Sequence, residues 1–244
     1  MPASSVATSR GAEKKRARRH PAEAAEDVRA RLVAAPARAV FARLLEEHQY
    51  TDLLEHASSK CVLIECLSRY PSRRQFRCYV GDSQAAALRS LEAPLTCAFP
   101  LAVRPRRAAA GTLRRGGQAL GEIVRDRAAG DHRFEVNGET LLTLRTTGGQ
   151  QGEGFCRYRL QLGDQAFDHQ VPVWSRKQGQ HTLKYDILNT RRVGIASCKN
   201  FRMDMAGKSV LEVVRISRSQ MLVGVAPPFN AFIAAVVGIA RFRA

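Results

Sequence analysis

The feature that most constrains this chain is a run near its C-terminal end, Phe229 to Phe242, in which apolar residues occupy nearly every helical face. A helix that is hydrophobic all round has to be buried. The run is about 14 residues long, short of the ~20 a helix needs to cross a bilayer. It therefore predicts a helix enclosed by protein rather than a transmembrane segment. Pro227-Pro228 precede it, and proline is tolerated in a first helical turn. A last buried strand is the alternative, but the length and the alanines favour helix.

What could enclose such a helix is written upstream. After Lys60, short apolar runs alternate with Gly, Pro and Asp punctuation. Cys61 to Leu67 is one run, and Gln75 to Val80, followed by Gly81-Asp82, is another. Phe134-Glu135-Val136 leads into Asn137-Gly138, a hairpin-turn dipeptide, and Leu141 to Leu144 continues from it. Arg157 to Leu162 alternates with period two, as does the neighbourhood of Leu183-Lys184-Tyr185, and Val210 to Ile216 is a β-branched run. Many short strands at close spacing predict an antiparallel sandwich or barrel. With the terminal helix threaded through or clamped by the sheet, the expected fold class is mainly β: an antiparallel closed β-barrel around a buried hydrophobic C-terminal α-helix.

Three segments follow from these patterns. Residues 1–28 read as a disordered basic tail centred on Lys14-Lys15-Arg16-Ala17-Arg18-Arg19, either an import signal or membrane tether or simply a solvated tail. Residues 29–57 carry a helical stripe (Val33, Val40, Leu44, Leu45, Leu53-Leu54) interrupted by Pro36, which either docks a protein partner or packs on its own domain. Residues 58–244 read as the barrel domain. The six cysteines show no C-x-x-C spacing, and no secretory apolar stretch follows Met1. Both points predict free, mostly buried thiols in a reducing compartment. A formal net charge of +17 favours polyanionic partners: nucleic acid, an anionic membrane face or inositol phosphates.

Val171-Pro172-Val173-Trp174, a polar stretch, and Arg192-Val193-Gly194-Ile195-Ala196-Ser197-Cys198-Lys199-Asn200-Phe201 occur in order over about 30 positions. Together they resemble the signature of the tubby-like family: PVW, a polar turn, then RV-x-x-AS-x-KNF. Leu113-Arg114-Arg115-Gly116-Gly117, then Gly121-Glu122-Ile123-Val124-Arg125-Asp126, looks like the family's L-S-R-G-G and G-K-L-R-S-N, and the apolar run looks like its barrel-filling helix. The resemblance covers roughly residues 60 to 244. It is shortened before Arg114 and between Asn137 and Val171.

The resemblance implies a module that binds phosphoinositide headgroups through a basic pocket. Arginine suits clustered phosphates because its planar fork donates parallel hydrogen bonds to their oxygens. Carried onto this chain, the pocket is Arg125 with Arg127, together with Arg104, Arg106 and Arg107; ordinary exposed loop charge is the other reading of all five. Glu122 stands where the family has Lys, and Asp126-Arg127 where it has Ser-Asn. Lys199 and Trp174 read as structural rather than as ligand contacts.

The sequence offers no catalytic set. The histidines show no HExxH or other metal spacing, a Cys198–His pair has nothing to place it together, and there is no G-x-S-x-G, P-loop or dinucleotide fingerprint. No catalysis, metal or cofactor is expected. The expectation is a monomeric adaptor on the cytoplasmic face of an anionic phosphoinositide membrane, with the nucleus as the alternative site. Two competing readings are a nucleic-acid-binding or transcription-related protein, against which an aromatic content of 7% weighs, and a scramblase-like barrel with a degenerate pocket.

Overall fold

The computed structural model describes residues 58–67, 74–99, 109–126, 129–148, 157–162, 165–170, 173–177, 180–188, 197, 199–227 and 229–243. The expected N-terminal tail and helical segment (1–28 and 29–57) lie outside these. Fourteen strands are described, all antiparallel where they pair. In chain order they are β1 (Lys60–Cys66), β2 (Arg74–Gly81), β3 (Leu95–Phe99), β4 (Ala109–Arg115), β5 (Gln118–Asp126), β6 (Asp131–Val136) and β7 (Glu139–Gly148). They continue with β8 (Arg157–Leu162), β9 (Gln165–Asp168), β10 (Val173–Ser175), β11 (Gln180–Thr182), β12 (Phe201–Met205), β13 (Lys208–Arg215) and β14 (Gln220–Val225). Helix α1 (Gln84–Arg89) lies between β2 and β3, and α2 (Ala231–Arg243) follows β14.

Twelve of the strands form one sheet in the order β12-β13-β14-β1-β2-β3-β4-β5-β6-β7-β8-β9, and β10-β11 form a separate hairpin. The large sheet curls until its ends almost meet. Among the described residues they are joined by a bridge between His169, just past β9, and Met203 of β12, supported by Gln170 N–H donating to the Arg202 carbonyl at 2.6 Å. Register shifts in the β4–β5, β6–β7, β7–β8 and β12–β13 pairs supply the local bends that let a twisted sheet close. The Asn137-Gly138 turn forms as its sequence predicts, with φ of 51° and 84°, the left-handed pair that a two-residue hairpin requires.

Helix α2 fills the barrel. Its residues from Ala231 to Phe242 are buried, and they share one core with the inward faces of β1 to β9 and β12 to β14. Aromatic rings anchor it along its length: Phe229 on Phe167 (4.9 Å between centroids), Phe232 on Phe134 (5.3 Å) and Phe242 on Phe76 (5.5 Å). The helix starts at Ala231 rather than at the prolines. Asn230 is its cap, with Oδ1 accepting the Ile233 N–H at 2.9 Å, because an asparagine side chain satisfies a first-turn donor that proline cannot. At Gly238 the helix backbone approaches the sheet so closely that a Cβ would lie 2.0 Å from Ile64 Cδ1 and 2.9 Å from a Val223 methyl.

One wall of the barrel is covered on its outside as well. Cys61, Leu63, Val214 and Leu222 of β1, β13 and β14 pack with Ala87 of α1 and Leu188. The alternation at Leu183-Lys184-Tyr185 suggested a strand; this stretch is instead irregular. The residues that follow it are held by Glu212 of β13, fully buried on that outer face. Its carboxylate accepts the N–H groups of Asp186, Ile187 and Leu188 at 2.6 to 3.1 Å and the Ser209 hydroxyl at 2.8 Å. Donors committed to a carboxylate cannot join a ladder, and burial of the charge is tolerated because its oxygens are hydrogen-bonded.

Two substitutions test these supports. Gly238→Val should lower the unfolding free energy by about 1–3 kcal/mol through overpacking against Ile64 and Val223, read as a fall in thermal midpoint. Glu212→Ala leaves the N–H groups of Asp186, Ile187 and Leu188 and the Ser209 hydroxyl without this acceptor, the Leu188 N–H and Ser209 being buried, and should cost about 1–3 kcal/mol, read as a lower urea midpoint at unchanged slope.

Candidate functional site

Because every paired strand runs antiparallel to its neighbour, the connections sort onto two rims. At the first rim, where α2 ends, lie the connections β1–β2, β3–β4, β5–β6, β7–β8 and β13–β14; at the second, where α2 begins, lie β2–β3, β4–β5, β6–β7, β8–β9 and β12–β13. The sequences of these connections differ sharply in charge. By sequence alone, the segments that join the strand ends of the first rim contain Arg69, Arg73, Arg104, Arg106, Arg107, Arg127 and Arg218, against Glu153; of these eight, Arg218 is among the described residues. Those at the second contain Arg89 against Asp82, Glu92 and Asp164.

Of the five arginines singled out from the sequence, Arg125 is described; Arg104, Arg106, Arg107 and Arg127 lie outside the described residues. Arg125 is the penultimate residue of β5, at the first rim, and is half-buried. Its register partners are Ala109 on β4 and His132 on β6. Strand alternation puts it on the same face as Ile123, whose side chain is in the barrel core. Glu122 and Asp126, the two acids that depart from the family pattern, fall on the opposite face. Asp126 accepts the Ala129 N–H at 3.1 Å and thereby holds the β5–β6 turn. Glu122 is exposed. Neither carboxylate shares the face of Arg125, so alternation separates charges that sequence adjacency puts together.

The arginines on the outer face of β7 and β8 are already committed. Asp131, Arg145, Arg159 and Asp168 form a cross-strand row in register over β6 to β9. Arg145 grips Asp131 with Nε and one terminal nitrogen at 3.0–3.1 Å, and Arg159 grips Asp168 at 2.8 and 3.2 Å. The hydrogen bond from Arg159 holds the Asp168 carboxyl below the usual carboxylate range. This row stabilises the wall rather than presenting open cations.

The KNF element of the resemblance builds the same rim. Lys199 Nζ donates to the Phe242 carbonyl at 3.0 Å, placing a cation at the negative end of α2. Asn200 Oδ1 accepts the Arg215 N–H at 2.8 Å, and Phe201 packs against Tyr158, 4.9 Å between centroids. Trp174 sits on β10 opposite His181. Sequence reasoning missed Arg241. It is 2% exposed, donates to the Tyr158 hydroxyl at 2.6 Å, and stacks with its guanidinium carbon 3.9 Å from that ring. Its signal was available, as a charge inside an otherwise apolar helix.

The buried thiols Cys61 and Cys78 do not read as nucleophiles. Burial raises Cys61 to about 11 and pushes Cys78 higher still, and the thiolate is the reactive form. Cys61, Cys66, Cys78 and Cys97 are not in disulfides, and Cys66 alone of these is only half-buried; Cys156 and Cys198 lie outside the described residues. Among the described residues no three His, Cys, Asp or Glu come together to hold a metal ion, and no helix is long and apolar enough to cross a membrane.

No protein-family model and no curated protein matches the chain.

Tyr158→Phe removes the acceptor that Arg241 uses inside the barrel while keeping the ring. It should lower the unfolding free energy by about 1–3 kcal/mol, and Arg241→Met in the Tyr158→Phe background should cost less than it does alone, as a double-mutant cycle by urea denaturation would measure.

Proposed function

We propose that this chain is a tubby-like phosphoinositide-binding module that docks on an anionic membrane face and acts as an adaptor without catalysis. The observation that carries the reading is the charge difference between the sequences of the segments that join the strand ends of the two rims. The connections at one rim are rich in arginine, those at the other are mildly acidic, and Arg125 stands at the arginine-rich rim on the face away from Glu122 and Asp126. A clustered-phosphate headgroup is the ligand that such a rim suits. Each phosphate accepts from several guanidinium donors at once, and each additional cation near an anionic surface contributes about 1 kcal/mol.

Chain connectivity supports the same grouping. Arg104, Arg106 and Arg107 precede Ala109, and Ala109 is the register partner of Arg125. Arg127 follows Arg125 by two residues. The lipid reading is favoured over nucleic acid by where the aromatics lie. Tyr158, Phe76, Phe99, Phe134, Phe201 and Phe229 are all in the interior, whereas strand-tracking of single-stranded nucleic acid uses exposed rings as stacking platforms.

The test is cosedimentation with phosphatidylcholine/phosphatidylserine liposomes with and without a few per cent phosphoinositide. Wild type should bind the phosphoinositide vesicles at least ten-fold more tightly. Arg125→Ala should lose about ten-fold of that preference. Equal binding to both vesicle types would remove the headgroup site and leave only charge attraction.

A further inference from the structure

We propose that His169 is a proton-sensitive latch on the seam of the barrel: with a neutral imidazole the ends of the sheet are joined, and a proton taken up at Nδ1 loosens the junction between β9 and β12. The inference does not depend on the headgroup reading.

The geometry makes the imidazole part of the closure. His169 is the residue through which β9 reaches Met203. It is bonded twice to Tyr158 on β8: its N–H donates to the Tyr158 carbonyl at 3.1 Å, and its Nδ1 accepts the Tyr158 N–H, also at 3.1 Å. A ring nitrogen that accepts cannot carry a proton, so the neutral ring has its hydrogen on Nε2. That nitrogen is buried and finds no partner among the described residues. Protonating Nδ1 would set two N–H donors against each other and put a cation where the ring is half desolvated.

The charged groups around the ring do little to accommodate such a cation. On β8 stand Arg157 and Arg159, on its own strand Asp168, on β12 Arg202 and Asp204, and from α2 Arg241 lies over the Tyr158 ring. Asp168 is held by Arg159. Asp204 and Asp186 are held by Arg202. Burial, the largest influence, pushes His169 below its ordinary 6.5 and Arg157 adds to this, while a hydrogen bond with the Tyr158 backbone and the charge of Asp168 work in the opposite direction without cancelling it. A group with a depressed folded pKa stabilises fully above its unfolded value and loses that contribution as pH falls through the folded one. The seam is therefore tight above about pH 6.5 and loosens in acid.

Amide hydrogen exchange on the full chain, corrected for intrinsic rates, tests this between pH 7.5 and 5. The opening constants at Tyr158 and Gln170 should rise toward about ten-fold per pH unit below 6.5, while the β1–β14 pair stays flat. His169→Asn keeps a δ-position acceptor that does not titrate and should abolish the rise. A flat wild-type profile, or an unchanged rise in His169→Asn, would overturn the latch. If that variant fails to fold, an NMR titration of the wild-type His169 ring decides: a midpoint below 6.5 supports the latch and one at or above 6.5 refutes it.

Discussion

Enclosure of α2 is the constraint on which the rest of the structure depends. A helix apolar on every side has no stable exposed orientation in water, and a sheet can bury it completely only by curling round it. The register shifts, the inward aromatics and the bare glycines follow from that demand. At Gly111 and Gly121 a Cβ would fall within 2.6 Å of the Phe99 and Phe134 rings, so these glycines let large rings lie flat along neighbouring strands. At Gly238 the same device is used between helix and sheet. Close packing around the rod is achieved by removing side chains at chosen points rather than by trimming the rings.

The barrel built this way has two unlike walls. The β13–β14–β1 wall is covered on both faces, by α2 within and by the clamped 183–188 stretch and α1 outside. Burial raises the Tyr185 phenol pKa above its ordinary value there, with Glu212 adding to the effect. The β6–β9 wall has α2 behind it and a row of Asp–Arg pairs in front, and it ends at the seam. Stability and adaptability are therefore divided between opposite sides of one sheet, the doubly covered side being the one that Gly238 presses against.

Much of this was legible in the sequence because it rests on local patterns. The terminal helix announced itself by composition, the Asn137-Gly138 hairpin by a dipeptide with one natural conformation, and β8 by strict alternation from Arg157 to Leu162. The face of Arg125 could be read by counting along β5. What stayed hidden depends on partners far away in the chain. Leu183 to Tyr185 alternates like a strand, but the N–H groups of the residues that follow, Asp186 to Leu188, go to Glu212, 24 residues beyond Leu188, and not to a neighbouring strand. The seam is equally nonlocal, since nothing in the sequence around His169 names Met203 as its neighbour. The contrast in charge between the two sets of joining segments emerged only when topology sorted sequences scattered over some 150 positions.

The order of elements has a consequence for how the molecule is made. The rod that the strands of the large sheet pack on follows all of them in the chain, and β1 lies between β2 and the much later β14. A ribosome therefore releases strand after strand before the element that gives them an interior. Until α2 emerges, the inward leucines and phenylalanines have no partner and the strand edges stay open to other chains. Such nonlocal pairing closes slowly. The nascent protein thus passes through a long sticky interval in which shielding by a holding factor would decide its yield.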